Sequence, residues 1–160
     1  MIWIPFSRAH YDIYKQWFED AELNKRLGPI DEEWITYVLQ EEDGQQYAVF
    51  HDNVMVGVIG VKHPSIDGDN LVITDIAVCP KMKGMGIGST MLSELSRLYP
   101  NVSHSNMVAY VATSNARAIA FFAKNKWVQI KDEEQGDDMI KFIAGSLEDR
   151  RPDTNAFSSQ

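Results

Sequence analysis

Residues 71–91, LVITDIAVCPKMKGMGIGSTM, run from an apolar stretch through three glycines into a helical pattern. LVITDIAV has the length and β-branched content of a strand. Met91, Leu92, Leu95 and Leu98 then recur on one helical face. A strand must therefore turn directly into a helix, and the turn carries Gly84, Gly86 and Gly88. Glycine costs conformational entropy on folding, so either the turn's geometry or a closely approaching ligand must require it. Such a turn leaves backbone N–H groups pointing outward at a helix start, which suits an anion. The helix dipole supplies about 0.3–1 kcal/mol, so several amide hydrogen bonds must carry a phosphate's affinity. Two nucleotide fingerprints fail here. No glycine is followed by Lys-Ser or Lys-Thr, and the spacing is G-x-G-x-G rather than G-x-G-x-x-G.

The flanking sequence fixes the element order. IWIPF reads as a short strand with Pro5 at an edge or end. Ser7 caps a helix in which Tyr14, Trp17 and Phe18 recur, and Leu23 and Leu27 extend the pattern to Gly28-Pro29. Asp31 opens a second helix bearing Trp34, Val38 and Leu39. QYAVFHDNVMVGVIGVKHP predicts two strands joined at Asp52-Asn53. SIDGDN turns into the strand LVITDIAV. Beyond the glycine helix, MVAYVAT predicts a strand, and SNARAIAFFAKNK a helix with Ala118, Ile119 and Phe122. WVQI and MIKFI predict a closing antiparallel pair around KDEEQGDD. The order is strand, two helices, three strands, helix, strand, helix, two strands, an α/β (α+β) arrangement of sheet and covering helices. Residues 1–145 form one domain in this reading, and 146–160 a polar C-terminal tail.

Composition narrows the class. With 160 residues and 44% hydrophobic content the chain suits one domain with a proper core. No apolar run approaches the roughly 18 residues of a membrane span, and the N-terminus lacks the pattern of a secretory signal. Cys79 is the only cysteine. An internal disulfide is excluded, a cytoplasmic location is the expectation, and the scattered histidines offer no metal constellation. A net charge of −8 argues against non-specific nucleic-acid binding and suits a cationic partner.

IAVCPKMKGMGIGSTML resembles the acetyl-CoA signature of the GNAT superfamily of N-acetyltransferases. Val78 and Pro80 match its strand end, and Lys83, Gly86 and Gly88 its [QR]-x-x-G-x-[GA] positions. NARAIAFFAKNKW resembles the second signature through Asn115, Ala118, Phe121, Phe122 and Trp127. The resemblance implies a GNAT-like mixed, mostly antiparallel twisted sheet flanked by helices. It also implies acetyl-CoA as donor, held by Ile76, Ala77, Val78, Lys83, Gly84, Met85, Gly86, Ile87, Gly88, Ser89, Asn115 and Phe122, with no metal. Three departures stand out. Lys83 replaces Gln or Arg, and Lys126 replaces a helix-ending glycine, so the left-handed cap is expected to shift onto Asn125. Phe122 stands where many members carry an acidic tyrosine.

In the family an amine attacks the thioester directly. Asp75, interrupting an apolar strand, is the candidate general base, weighed against a purely structural strand carboxylate. His51 and His63 are weaker candidates, and Ser114 or a water could stand in for the missing tyrosine hydroxyl. Backbone N–H groups near Ala77 and Val78 would stabilise the oxyanion. The acceptor, implied to lie near the first two helices and the last strands, is expected to be an amine-bearing small molecule or a basic peptide end, beside Asp31–Trp34, Glu41–Asp43 and Asp132–Asp138. The alternative is a non-catalytic acyl-CoA-binding or interaction module, which Phe122 favours.

Overall fold

The computed structural model describes residues 1–66, 68–131 and 136–145. The polar tail expected at 146–160 lies outside the described residues. Strands β1 (Ile2–Pro5), β2 (Gly44–His51), β3 (Val54–Lys62), β4 (Leu71–Val78), β5 (Met107–Ala112), β6 (Val128–Ile130) and β7 (Met139–Ile143) form one sheet. Their order is β1-β2-β3-β4-β5-β7-β6, and only β4 and β5 pair in parallel. The helices are α1 (Arg8–Trp17), α2 (Ala21–Leu27), α3 (Glu32–Gln40), α4 (Ile87–Leu98) and α5 (Ala116–Lys124). The expected mixed, mostly antiparallel architecture is therefore present.

The sheet is covered on both faces. Met91, Leu92 and Leu95 of α4 and Phe122 of α5 pack with Val56, Ile59, Leu71 and Ile73 in one core. Tyr11, Tyr14, Trp17 and Ile35, from α1 and α3, pack with Val58 and Ala77 in the other. Fully burying each such apolar side chain stabilises the fold by about 1.5–3 kcal/mol. Coverage on both faces explains why β3, VMVGVIGVK, is apolar almost throughout rather than alternating.

Two local expectations change. The first helix is two: α1 ends at Phe18, and Asp20 starts α2 by accepting the Leu23 N–H at 3.0 Å. An N-cap carboxylate satisfies a helix-start amide, and that local bond overrides the continuous apolar periodicity. Asp31 starts α3 in the same way, through the Trp34 N–H at 2.9 Å. At the end of α5 the cap does not move onto Asn125, which keeps φ −86°. Lys126 itself takes the left-handed conformation at φ 64°. The Lys126 N–H bonds to the Ala123 carbonyl and the Trp127 N–H to the Phe122 carbonyl. This Schellman pairing places the left-handed residue where the missing glycine would be, and burial of Trp127 holds it there. Asp52 and Asn53, with φ 48° and 62°, form the expected tight turn between β2 and β3.

Lys126 is exposed, so its left-handed backbone is relieved by removing the Cβ without losing a packed side chain. Lys126→Gly should raise unfolding stability by about 0.5–1 kcal/mol, the left-handed strain less glycine's entropy. Equilibrium urea unfolding reads this directly; a lower midpoint would contradict it.

Candidate active site

Strand β4 carries an extra residue. Val61 opposes Ile73 while Gly60 opposes Asp75, leaving Thr74 as a bulge. The insertion changes which face each side chain occupies. Before it, Leu71 and Ile73 point to the α4–α5 core; after it, Ile76 and Val78 do. Asp75 and Ala77 consequently point to the α1–α3 side, where Ala77 is buried.

The bulge coincides with the end of parallel pairing. β4 and β5 are joined only through Leu71, Val72 and Ile73 opposite Met107, Val108 and Ala109. Beyond Ile73 they part, and a cleft of about 610 Å³ opens between them. The Cys79 N–H bonds to the Val56 carbonyl, so in the alternating antiparallel pattern Ala77 also turns its backbone polar groups to β3. Those of Ile76 and Val78 face the cleft. The donors at this strand end are thus Ile76 and Val78. Ala77, expected among them, presents neither its side chain nor its amide.

The glycine turn forms the mouth of the cleft. Gly84 and Gly86 have φ 78° and 79°, a conformation that side chains disfavour, and a Cβ on either would face open space. Gly88 serves differently: its Cβ would crowd the Phe121 ring at 3.1 Å, so it lets α4 and α5 pack closely. Gly86 caps α4, and the amides of Ile87, Gly88 and Ser89 find no protein acceptor among the described residues. The turn is therefore a preformed set of outward-facing N–H donors. Lys83, Gly84, Gly86, Ile87, Gly88 and Ser89 line the cleft, whereas the Met85 side chain is 68% exposed and points away. Asn115 also lines it while its Oδ1 accepts the Ala118 N–H at 3.1 Å.

Electrostatics single out this cleft in an acidic protein. Lys25, Arg26, Lys83, Arg117 and Lys124 line it, against Glu22 and Asp75. Five cations against two carboxylates, beside free amides, suit a polyanionic ligand with an extended body. Lys83 is engaged: its Nζ donates to Asp20 Oδ2 at 3.0 Å, tying the glycine turn to the start of α2. Arg26 donates to the Ser114 carbonyl at 3.3 Å, tying α2 to the β5–α5 junction. α2 thereby bridges the cleft mouth. No motif in the sequence pointed to Arg26, Arg117 or Lys124: Arg26 comes from α2 and the other two from opposite ends of α5, and the fold brings them to one cleft.

Asp75 also lines the cleft. Gln46 Nε2 donates to its Oδ2 at 2.5 Å and Thr74 Oγ1 to its Oδ1 at 2.9 Å. Gly60 makes this cluster possible, since a Cβ there would collide with Asp75, Gln46 and Thr74 together. Burial raises the Asp75 carboxyl above its ordinary value, with the Gln46 and Thr74 hydrogen bonds opposing. Burial, and then the nearby Asp75 charge, push the Tyr14 phenol well above its own. Sequence reading found Asp75 but missed Gln46 and Gly60, which carry no motif. Phe122 is 3% exposed, stacked on Phe142 at 5.5 Å, with an edge on the cleft. Tyr110 of β5 also lines the cleft, which no motif indicated. His51 pairs with Asp52 and His63 contacts Tyr99, both away from the cleft. Ser114 and Cys79 do not line it either. Among the described residues no group of side chains is arranged to hold a metal, and no helix is long and apolar enough to cross a membrane.

The acetyltransferase (GNAT) family model matches residues 8–127. No curated protein sequence matches the chain. Solved structures share the fold. An acetyltransferase from Thermus thermophilus is 14% identical over 89% of this chain and 94% of its own, with a TM-score of 0.74. A Salmonella typhimurium acetyltransferase that modifies the N-terminal serine of a 50S ribosomal subunit protein is 17% identical over 88% and 92%, TM-score 0.71. Campylobacter jejuni N-acetyltransferase PseH, in complex with acetyl coenzyme A, is 15% identical over 89% and 97%, TM-score 0.62.

The raised Asp75 carboxyl has a consequence for stability. A carboxyl whose folded pKa exceeds its unfolded one stabilises fully below the unfolded value and loses that contribution as pH rises through the folded value. At neutral pH its charge therefore costs stability. Asp75→Asn should unfold at a higher temperature than the wild type at pH 7, and the difference should shrink towards about pH 4. Calorimetry across that range tests the sign.

Proposed function

Because the chain belongs to the acetyltransferase (GNAT) family, we propose that it moves an acetyl group from acetyl-CoA to a primary amine of a small molecule or peptide. The observation that carries this reading is the open seam between β4 and β5, with free helix-start amides at its mouth and Asp75 on its wall. The residues present fit the donor. The amides of Gly86 to Ser89 and the surrounding basic side chains would hold its pyrophosphate. Ile76 and Val78, denied strand partners, would bond the pantetheine arm, with Asn115 beside them and the Phe122 edge as an apolar wall. Acetyl-CoA supplies an activated thioester and a thiolate leaving group.

The chain must handle two protons. An amine of ordinary pKa ~10.4 is neutral in about one molecule in a few thousand at pH 7, a penalty of roughly 4–5 kcal/mol. Asp75 answers this as general base, directly or through a water. Its Oδ atoms are oriented by Gln46 and Thr74, and burial moves its pKa towards neutrality, the useful direction for a base. The cleft-facing N–H of Val78 is aimed where an oxyanion would develop. The leaving thiolate is less demanding. With a pKa near ~8.5 it forgoes only about 2 kcal/mol if it departs unprotonated at pH 7. Phe122 cannot donate a proton, so turnover is expected to be modest. That missing hydroxyl favours the second reading, a module that binds acyl-CoA without turnover.

Thiol release from acetyl-CoA with a panel of amines tests both readings. We expect amine-dependent release in the wild type and a loss of ~10²-fold or more in kcat/KM for Asp75→Asn, with a flattened acid limb of the pH profile. Binding of acetyl-CoA without release for any amine would instead establish the non-catalytic module. Phe122→Tyr should raise kcat by roughly tenfold, within the ~2 kcal/mol that unassisted departure costs; an unchanged rate would show that leaving-group protonation does not limit turnover.

A further inference from the structure

A second cavity, of about 240 Å³, lies between α3 and strands β2, β3 and β4. It shares Thr74 and Asp75 with the larger cleft, so the bulge of β4 is the wall between the two. We propose that this cavity is the acceptor pocket and that its occupant is a short aliphatic diamine, one nitrogen at Asp75 and the other at Glu41. The identity of the reacting nitrogen rests on the acetyl-transfer reading above; the binding site does not.

Strand register sets the span. Gln46, Gly60 and Asp75 stand opposite one another at the inner end, and Gly44 opposes Lys62 at the outer end. Two residues along a strand separate these rows, about 7 Å. Glu41, just before Gly44, lines the outer end. Its carboxylate is fixed by the Tyr37 hydroxyl at 2.6 Å and the Asp43 N–H at 2.9 Å. Those contacts, led by the Tyr37 hydroxyl, hold it below the usual carboxylate range and therefore charged. Trp34, Tyr37 and Val38 of α3 line the space along with these ends. Aromatic rings there attract cations, and the apolar surface suits a methylene chain.

Lys62 also lines this cavity and opposes a dication. Two carboxylates against one ammonium still leave the pocket net negative. Both carboxylates are anchored by hydrogen bonds, whereas Lys62 is exposed and acts on Glu41 through its charge. A zwitterion with a carboxylate on Lys62 is the competing occupant, and the closing experiment separates the two.

Titration calorimetry of cadaverine, with and without saturating free coenzyme A, reads binding without reaction. We expect saturable binding at least tenfold tighter than for butylamine and for γ-aminobutyrate. Glu41→Gln, which keeps an acceptor for the Tyr37 hydroxyl, should remove that advantage while leaving coenzyme A binding unchanged. No saturable cadaverine binding, equal affinity in Glu41→Gln, or tighter binding of γ-aminobutyrate would each overturn the proposal. Cadaverine that binds as expected but is never acetylated would leave the pocket standing and sink the transfer reading. An unrelated amine acetylated without competition from cadaverine would do the reverse.

Discussion

Everything distinctive about this molecule follows from a pairing that stops early. β4 and β5 share hydrogen bonds for three residues and then part, just where the Thr74 bulge bends β4. Backbone polar groups that lose a strand partner must find another, because leaving them unsatisfied away from water costs about 1–3 kcal/mol each. Ile76 and Val78 are in that position. A ligand laid into the seam would complete the sheet's hydrogen bonding, so the defect in the fold is what suits it to binding.

The same bulge distributes function across the two faces of the sheet. By shifting the alternation by one residue it brings Ile76 and Val78 against the α4–α5 core and sends Asp75 to the α1–α3 side. A carboxylate there would be untenable among Tyr14 and its aromatic neighbours without help. Gln46 and Thr74 provide that help, and Gly60 clears the volume they need. The result is a carboxylate paid for in stability and reachable from two cavities, an arrangement that suits proton transfer between two ligands.

Charge is partitioned just as sharply. A chain of net charge −8 gathers five basic side chains around one cleft and leaves carboxylates at both ends of the adjoining pocket. The two sides of the β4 wall thereby carry opposite charge, one suited to a polyanion and the other to a cation. Overall charge, which sums both regions, conceals this division. α2 reinforces it by bridging the cleft mouth, through Lys83 to Asp20 and Arg26 to Ser114.

The backbone of the larger cleft was legible in the order of residues alone. Strand, glycine turn and helix follow from local periodicity and from the positive φ that Gly84 and Gly86 permit, and Asn115 is legible as a cap because capping is a contact over three residues. Sequence also located Asp75, since a carboxylate in an apolar strand is conspicuous. Its boundaries failed where one local bond outweighed a periodic pattern, at Asp20, and where tertiary packing imposed an unfavourable conformation, at Lys126. Which way Asp75 points, that Ala77 turns away while Ile76 faces the seam, that Gln46 and Gly60 meet Asp75, and that Glu41 and Arg117 line cavities emerge from the three-dimensional arrangement alone. Those assignments depend on strand register and on helices meeting across the sheet. Such contacts join residues far apart in the chain, and no short-range spacing records them.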